Sequence, residues 1–222
     1  MPAAYFDVDG TLVGGNLLPP TLMYLANQAS PLDSAWRVAR LFADAPRLAA
    51  EELKDRRLFN ERLFWHFRGM TDDRLRSLAG DVYNEQVKPK LFRGVRSLVN
   101  RCQDAGMRVV LVTGSLDITM EPLRRDLGAD ACIANRLEIK DHLATGRLLR
   151  PVVAGPYKSR LIVEDAERHG DDLAACHAYS DSYSDVPMLS VVGHPYCINP
   201  DRRLAQLAQA YDWPIIDIQS GP

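Results

Sequence analysis

Three segments of the sequence place carboxylates or hydroxyl groups directly after a short apolar stretch, where a buried strand would end. In chain order they contribute Asp7 and Asp9, then Thr113 and Ser115, then Asp181 and Asp185. One cation, Lys158, opens a helical pattern after Gly155-Pro156. In an open parallel sheet the reactive site lies outside the carboxyl ends of the strands. We therefore expect these distant segments to converge at one edge of a sheet.

Asp7 and Asp9 are two residues apart, so on an extended chain their side chains would share one face. Gly10 then permits a tight turn that lets both carboxylates approach one phosphorus atom from different sides. Crowded carboxylates repel each other unless a cation or proton offsets their charge. Mg²⁺ prefers oxygen ligands and takes one or two carboxylates with water and substrate phosphate. We expect Mg²⁺ on Asp7, on Asp181 and on the backbone carbonyl of Asp9.

With the metal bound, the Asp7 carboxylate can attack phosphorus and form an acyl phosphate. Asp9 is then suited to protonate the leaving oxygen and afterwards to activate water. Lys158 would offset charge on Asp7 and on the phosphoryl group. Asp185 is expected to orient Lys158 or a metal-bound water. The groups expected to hold the phosphoryl oxygens are the Thr113 hydroxyl, the Gly114 N–H and Thr11.

Each of these features also has a purely structural interpretation. Asp-x-Asp-Gly occurs in many turns, Thr113 could cap a helix, and Lys158 could be a solvated helix residue. Asp181 and Asp185 could belong to a solvated loop that caps a helix. The combination favours the functional interpretation, because all four segments fall at predicted strand-to-helix junctions.

The elements that must position these residues follow from the hydrophobic pattern. Residues 3–8 predict a buried strand, whereas residues 19–86 show helical spacing without a convincing strand. After Pro89, predicted strands and helices alternate, which indicates a mainly parallel, Rossmann-like α/β sheet flanked by helices. The sequence thus predicts a core domain of residues 1–15 and 88–222, with an all-helical cap of residues 16–87 inserted after the first strand.

The overall composition narrows the classes of function. Hydrophobic residues make up 46% of the 222 residues and charged residues 25%, as in ordinary globular proteins. A formal net charge of −2 makes nucleic acid an unexpected partner. No apolar run approaches the roughly 20 residues of a membrane span, and no signal-peptide pattern is visible. We expect a cytoplasmic protein without stable membrane insertion, whose four scattered cysteines are free thiols.

The motifs resemble those of the haloacid dehalogenase-like (HAD) superfamily, in its phosphoserine-phosphatase-like branch. The matching segments are residues 7–12 (Asp-Val-Asp-Gly-Thr-Leu), residues 112–115 (Val-Thr-Gly-Ser), Lys158, and residues 180–189 (Ser-Asp-Ser-Tyr-Ser-Asp-Val-Pro-Met-Leu). The resemblance implies a nucleophile at Asp7, an acid/base at Asp9, a phosphate-binding hydroxyl at Thr113, a lysine at Lys158 and a metal ligand at Asp181. A helical cap after the first motif also matches that branch.

One departure bears on the substrate. Phosphoserine phosphatases carry a glutamate shortly after the first motif, which engages the substrate ammonium, and this chain has Asn16 there. A neutral amide compensates a buried ammonium poorly, which weakens a phosphoserine assignment. Because Asp9 is retained, a dehalogenase, which does not need that acid, is disfavoured. The chain has no HxxxxD motif of the kind found in acyltransferases.

Two alternatives to a phosphatase stay open. A phosphotransferase would pass the phosphoryl group from Asp7 to an alcohol instead of water. A non-hydrolytic module would bind a phosphorylated ligand, although such proteins usually lose the nucleophile or the acid. The expected partner is a small phosphorylated metabolite. A mild basic excess in residues 34–76 favours an acidic substrate group. The aromatic residues Phe59, Phe64, Trp65 and Phe67 are expected mainly in the core of the cap. If some of them face the site instead, a lipidic or an amino-alcohol phosphate becomes an option. Monomer and homodimer are both left open.

Overall fold

The computed structural model describes residues 2–218, and its centre is a six-stranded sheet in the order β3-β2-β1-β6-β7-β8. Every neighbouring pair in this sheet is parallel. Its strands are β1 (Ala3–Asp7), β2 (Arg108–Leu116), β3 (Ala131–Asn135), β6 (His177–Ser180), β7 (His194–Ile198) and β8 (Ile215–Ile216). Helices flank this sheet, so the predicted Rossmann-like α/β class is confirmed.

Helices connect the strands and also form the segment inserted after β1. The inserted helices are α1 (Leu18–Ala26), α2 (Pro31–Lys54), α3 (Arg56–Trp65) and α4 (Asp72–Val82). The remaining helices are α5 (Val95–Asp104), α6 (Asp117–Asp126), α7 (Tyr157–His169), α8 (Val186–Leu189) and α9 (Arg202–Ala210). The order follows the sequence pattern closely, including the purely helical stretch after the first strand.

The strand register brings the carboxyl ends of three strands together. Asp7 lies beside Val112 of β2, and Phe6 lies beside Tyr179 of β6. The next residue of β2 is Thr113, and the next residue of β6 is Ser180. Strand β1 is fully buried, as expected for a central parallel strand covered on both faces. The predicted convergence of the first, second and last motifs at one edge is therefore a direct result of this register.

The four inserted helices build a hydrophobic cluster of their own. Phe59, Leu63, Phe64 and Phe67 are almost fully buried in it, so the aromatic residues of this region mainly form its core. Leu116, at the end of β2, packs into the same cluster. The inserted helices therefore rest on the edge of the sheet where the polar strand ends meet. The predicted boundaries at residues 15 and 88 stay a prediction.

A β-hairpin extends this cap. It consists of β4 (Leu137–Lys140) and β5 (Leu143–Leu148), which pair with each other in an antiparallel manner and lie outside the main sheet. The sequence pattern predicts β4 but not β5. Three backbone hydrogen bonds join the hairpin to the turn between α3 and α4: Gly69 N to Ala144 O, Ala144 N to Met70 O, and Asp72 N to His142 O, at 2.8, 2.8 and 3.0 Å. The hairpin is thus attached to the inserted helices.

Two further expectations concern cysteines and membrane spans. All four cysteines are free thiols, and three of them are buried while Cys132 is half-buried. Within residues 2–218, no helix is both long enough and apolar enough to cross a bilayer.

Candidate active site

Asp7 is the last residue of β1, and its carboxylate is held from two sides. The Lys158 ammonium donates to Oδ1 at 2.6 Å, and the Thr11 hydroxyl lies 3.0 Å from Oδ2. Only 3% of Asp7 is exposed. Burial raises the pKa of Asp7 above its ordinary value; Lys158 opposes this, while Asp185, Asp181 and Asp9 add to it. Asp7 therefore depends on nearby positive charge to stay ionised.

Lys158 lies in the first turn of α7, which begins directly after the loop at Gly155 and Pro156. Its ammonium also donates to Asp185 Oδ2 at 2.9 Å, and the Ser180 hydroxyl donates to the same oxygen at 2.8 Å. Burial alone would lower the pKa of Lys158, but the Asp185 and Asp7 carboxylates outweigh burial and raise it. Lys158 is therefore an ammonium held between the Asp7 and Asp185 carboxylates.

Asp9 projects from the turn after β1 toward the end of β2. Its Oδ2 accepts hydrogen bonds from the Thr113 hydroxyl at 2.8 Å and from the Ser115 hydroxyl at 3.4 Å. Burial raises the pKa of Asp9, although Thr113, Lys158, Arg56 and Ser115 all lower it. A carboxyl group that holds its proton more readily than usual can serve as a general acid.

Thr11 and Asp181 form the third side of the cluster. The Thr11 hydroxyl lies 2.7 Å from Asp181 Oδ1 and accepts a hydrogen bond from the Asp181 backbone N–H at 2.9 Å. Gly10 has a φ of +95°, and a Cβ there would lie 2.3 Å from Asp181 Oδ2. The position therefore requires glycine, both for its backbone conformation and for the close approach of Asp181.

The donor set fits Mg²⁺. Asp7 and Asp181 both contact the Thr11 hydroxyl, and burial raises the pKa of Asp181 as well. One buried ammonium faces four carboxylates, so the cluster has an excess of negative charge. Within residues 2–218, no group of three or more His, Cys, Asp or Glu side chains could hold a metal ion alone. Mg²⁺ commonly needs only one or two carboxylates and completes its shell with water and phosphate.

Helix α3 of the cap closes the site from above. Arg56 and Asn60 line the same cavity as Asp7, Asp9 and Lys158. The Asn60 amide also donates to the Gly114 and Val153 carbonyls, at 3.4 Å each. The amide of Asn135, on the core side, donates to the Gly114 carbonyl at 2.7 Å. Cap and core therefore meet through hydrogen bonds at the edge of the site.

The cavity between these groups is small, about 30 Å³. That is room for a few water molecules at most and not for a phosphate ester. A larger cavity of about 450 Å³ lies away from the carboxylates, between Trp65 and the β4–β5 hairpin. A phosphate ester therefore needs more room between cap and core than this arrangement offers.

The structure brings most of the predicted residues together. Asp7, Asp9, Gly114, Lys158 and Asp185 line the cavity. The hydroxyls of Thr11 and Thr113 are fully buried behind them and bond to the carboxylates, so phosphate binding by these two hydroxyls stays a prediction.

Sequence reasoning missed Arg56, Asn60 and Asn135. The basic excess of the cap was a signal for Arg56, but it gave no reason to prefer that residue over nine other cations of residues 34–76. For the two asparagines no signal was present, because their contacts depend on how the cap sits on the core.

Known proteins resemble this chain over nearly its whole length. A family model described as haloacid dehalogenase-like hydrolase matches residues 4–190. Phosphoserine phosphatase SerB1 of Mycobacterium tuberculosis is 34% identical over 98% of the chain and 71% of its own length. The "Inhibition of morphological differentiation protein" of Streptomyces azureus is 31% identical over 97% of the chain and 78% of its own length.

Solved structures share the fold at lower identity. A protein of unknown function from Bordetella pertussis Tohama I superposes with a TM-score of 0.82, at 24% identity and 98% coverage of both chains. A phospho-aspartyl intermediate analogue of phosphoserine phosphatase superposes with a TM-score of 0.69, at 18% identity, over 98% of this chain and 93% of the other.

Proposed function

Because the chain belongs to the haloacid dehalogenase-like hydrolases, in their phosphoserine-phosphatase-like branch, we propose that it is a Mg²⁺-dependent phosphatase that forms an aspartyl-phosphate on Asp7. The observation that carries this proposal is the hydrogen bond from the buried Lys158 ammonium to Asp7 at 2.6 Å, beside an Asp9 whose pKa burial raises. Burial raises the pKa of both carboxyl groups, that of Asp7 to about 8. The Lys158 ammonium in contact with Asp7, together with a bound cation, would keep Asp7 ionised for attack, whereas Asp9, which bonds to the Thr113 and Ser115 hydroxyls, would hold its proton for the leaving group.

In the first half-reaction a carboxylate oxygen of Asp7 forms a bond to phosphorus as the bond to the leaving oxygen breaks. Asp9 donates its proton to that oxygen, and the free alcohol departs. In the second half-reaction Asp9 takes a proton from a water molecule, which attacks phosphorus and releases inorganic phosphate from Asp7. Lys158 stabilises the negative charge on the phosphoryl group throughout, and Asp185 holds the ammonium in place.

Mg²⁺ bound by Asp7, Asp181 and the Asp9 backbone carbonyl would neutralise the phosphoryl oxygens and the excess negative charge. The Gly114 N–H and the hydroxyls of Thr11 and Thr113 are the proposed contacts to the phosphate. For the two hydroxyls this requires a rearrangement of their hydrogen bonds to Asp181 and Asp9 when substrate binds.

The proposed substrate is a small phosphate monoester. Asn16 is exposed, and its Oδ1 accepts from the Leu18 N–H, so it supplies no negative charge for a substrate ammonium. Leu17 and Arg56 line the cavity instead. An apolar or anionic leaving group suits this pair better than an amino-alcohol, which favours a lipidic phosphate among the options raised by the sequence.

The test is to trap the intermediate. Wild-type protein incubated with Mg²⁺ and p-nitrophenyl phosphate is quenched in acid, and the peptide that contains Asp7 is examined by mass spectrometry for an added phosphoryl group. We expect phosphate on Asp7 in the wild type, and no phosphate and no turnover in Asp7→Asn, with an unchanged circular dichroism spectrum. Asp104→Asn, an exposed carboxylate on α5, is the matched control and should behave like wild type.

Turnover by Asp7→Asn, or phosphate on a different residue, would contradict the covalent mechanism. Repeating the assay with phosphoserine, an amino-alcohol phosphate and a single-chain lipid phosphate ranks the leaving groups. A preference for phosphoserine would refute the substrate proposal while leaving the phosphatase intact. Added alcohol acceptors that divert phosphate from water would identify a phosphotransferase.

A further inference from the structure

Helix α2 presents an apolar face to the outside of the cap. At about 100° per residue, ten exposed apolar residues between Leu32 and Leu53 fall on one arc of the helix. They are Leu32, Ala35, Trp36, Ala39, Phe42, Ala43, Pro46, Ala49, Ala50 and Leu53. We call this set the outer arc of α2. The opposite side of the helix carries Leu41 and Leu48, which pack into the cap core.

The large side chains of the outer arc are unusually accessible. Leu32 is 83% exposed, Trp36 58%, Phe42 63% and Leu53 91%. They are spread along a helix of 24 residues, which is about 36 Å long. An apolar strip of this length exceeds the scattered surface hydrophobics that a folded protein normally tolerates, and such strips mark interaction sites.

Cations follow one border of the outer arc. Arg40, Arg47 and Lys54 recur at intervals of seven residues along this border, with Lys54 at the same helical angle as Trp36. Arg47 is 75% exposed and lies 3.9 Å from Asp44. The acidic residues beyond the border are paired inside the cap: Asp33 with Arg37, and Asp44 and Glu51 with Arg62. The Arg40 guanidinium stacks on the Trp36 ring at 4.9 Å and on the Trp65 ring at 3.9 Å. No acidic residue lies on the arc itself. A bulky apolar face with tryptophan and a basic border is the pattern of helices that lie in the plane of a membrane surface.

We propose that the outer arc of α2 docks this protein on the surface of a bilayer that contains anionic phospholipids. The apolar side chains would enter the boundary between headgroups and acyl chains, and the basic border would meet the headgroup phosphates. An antiparallel pairing with a second copy of the chain would instead bring the two basic borders together, which costs electrostatic energy. Charge complementarity therefore favours the anionic surface as the occupant.

The C-terminal end of the outer arc lies close to the catalytic cavity. Leu53 and Lys54 end α2, Asp55 caps α3, and Arg56 already lines the cavity. The C-terminal end of the arc is therefore at the cavity's cap wall. Docking would bring the entrance near the lipid surface, although the docking itself does not rest on the proposed phosphatase chemistry.

The test is co-sedimentation of the purified full chain with vesicles. One preparation contains phosphatidylcholine alone and the other contains about one-third phosphatidylglycerol. We expect binding to the anionic vesicles, weaker binding to the neutral ones, and loss of binding as salt is raised. The double variant Phe42→Asp/Leu53→Asp should lower the bound fraction roughly tenfold or more, because it places charge on the apolar face.

Tyr211→Asp is the matched control, because Tyr211 is 66% exposed on the core, far along the chain from α2. It should bind like wild type, and thermal melting should show that both variants are folded. Binding is measured without turnover, so it can fail or succeed independently of the phosphatase assay. Wild-type protein that ignores anionic vesicles overturns the proposal, and so does equal binding by the double variant. A dimer in sedimentation equilibrium that Phe42→Asp dissociates, without vesicle binding, would assign the arc to a second copy.

Discussion

The two ends of the central sheet carry similar buried charges and use them differently. At the carboxyl end, Lys158 faces Asp7 and Asp185, with Asp9 and Asp181 close by. At the opposite end, Arg108 at the start of β2 forms ion pairs with Asp165 and Asp171, and the Tyr5 hydroxyl donates to Asp165 at 3.1 Å. Both ends thus join distant segments through one buried cation.

The difference lies in the balance of charge and in access. The Arg108 guanidinium offers several donors in a fixed plane and can serve two carboxylates at once. Lys158 offers a compact ammonium to a cluster of four carboxylates, which leaves uncompensated negative charge beside a cavity. The comparison teaches that a buried ion pair by itself does not identify an active site. A candidate active site is indicated instead by an excess of charge of one sign beside a cavity that can hold a ligand.

Removal of divalent metal should have the largest effect on turnover, because the proposed Mg²⁺ site lies at the carboxyl end of the sheet. Chelation with EDTA is expected to reduce turnover to background, because nothing else would offset the excess charge. Ca²⁺ should restore turnover poorly, since its looser coordination misaligns in-line attack.

A second readout is independent of activity. Mg²⁺ at 100 times its Kd should add about 2.7 kcal/mol to the free energy of unfolding of the wild type. The melting temperature should rise accordingly. Asp181→Asn should lose most of that shift. Equal rates with Ca²⁺ and Mg²⁺ would argue against this site geometry.

Substitution of Asp9 comes next in size. Asp9→Asn keeps the shape of the side chain but removes the proton donor, so turnover of an alkyl phosphate should fall roughly 100- to 10,000-fold. Aryl phosphates, whose leaving groups need no proton, should lose less. Steady-state rates on both substrate types measure the contrast, and an equal loss on both would mean that Asp9 acts other than as an acid.

The smallest effect is expected at the amino end of the sheet. Asp165→Ala leaves Arg108 and Tyr5 without one of their partners, which should cost about 2 kcal/mol of folding free energy. For a chain of this length that corresponds to a fall of roughly 4–8 °C in melting temperature. The rate per folded molecule should not change. Glu167→Gln changes an exposed residue on the same helix and is the control. Loss of activity in Asp165→Ala at temperatures where the variant is folded would contradict the purely structural role of the amino end.

The sequence predicted the core of the site because strand ends are visible in a hydrophobic pattern. Asp7, Thr113 and Asp181 each follow a recognisable strand, and parallel pairing then forces them to one edge. Lys158 was found because Gly155-Pro156 marks a helix start. The same reasoning could not find β5, whose residues 143–148 include Thr, Gly and Arg and show no run of β-branched residues.

The contacts between cap and core were also out of reach of the sequence. Periodicity reports which face of a helix is buried, and it placed Phe59, Phe64 and Phe67 correctly in the cap core. It does not report how a whole group of helices is rotated on a sheet. Asn60 reaches the Gly114 carbonyl only because α3 lies over the end of β2, and that placement is set by tertiary packing.

The attachment of the β4–β5 hairpin to the cap constrains how the enzyme can open. If the inserted helices swing away as a rigid lid, the hairpin must ride with them, or its backbone bonds to Gly69, Met70 and Asp72 must rupture. The hairpin leads through residues 149–156 directly into α7. A cap that swings out together with the hairpin would therefore displace the start of the connecting segment 149–156, which leads into the helix that carries Lys158.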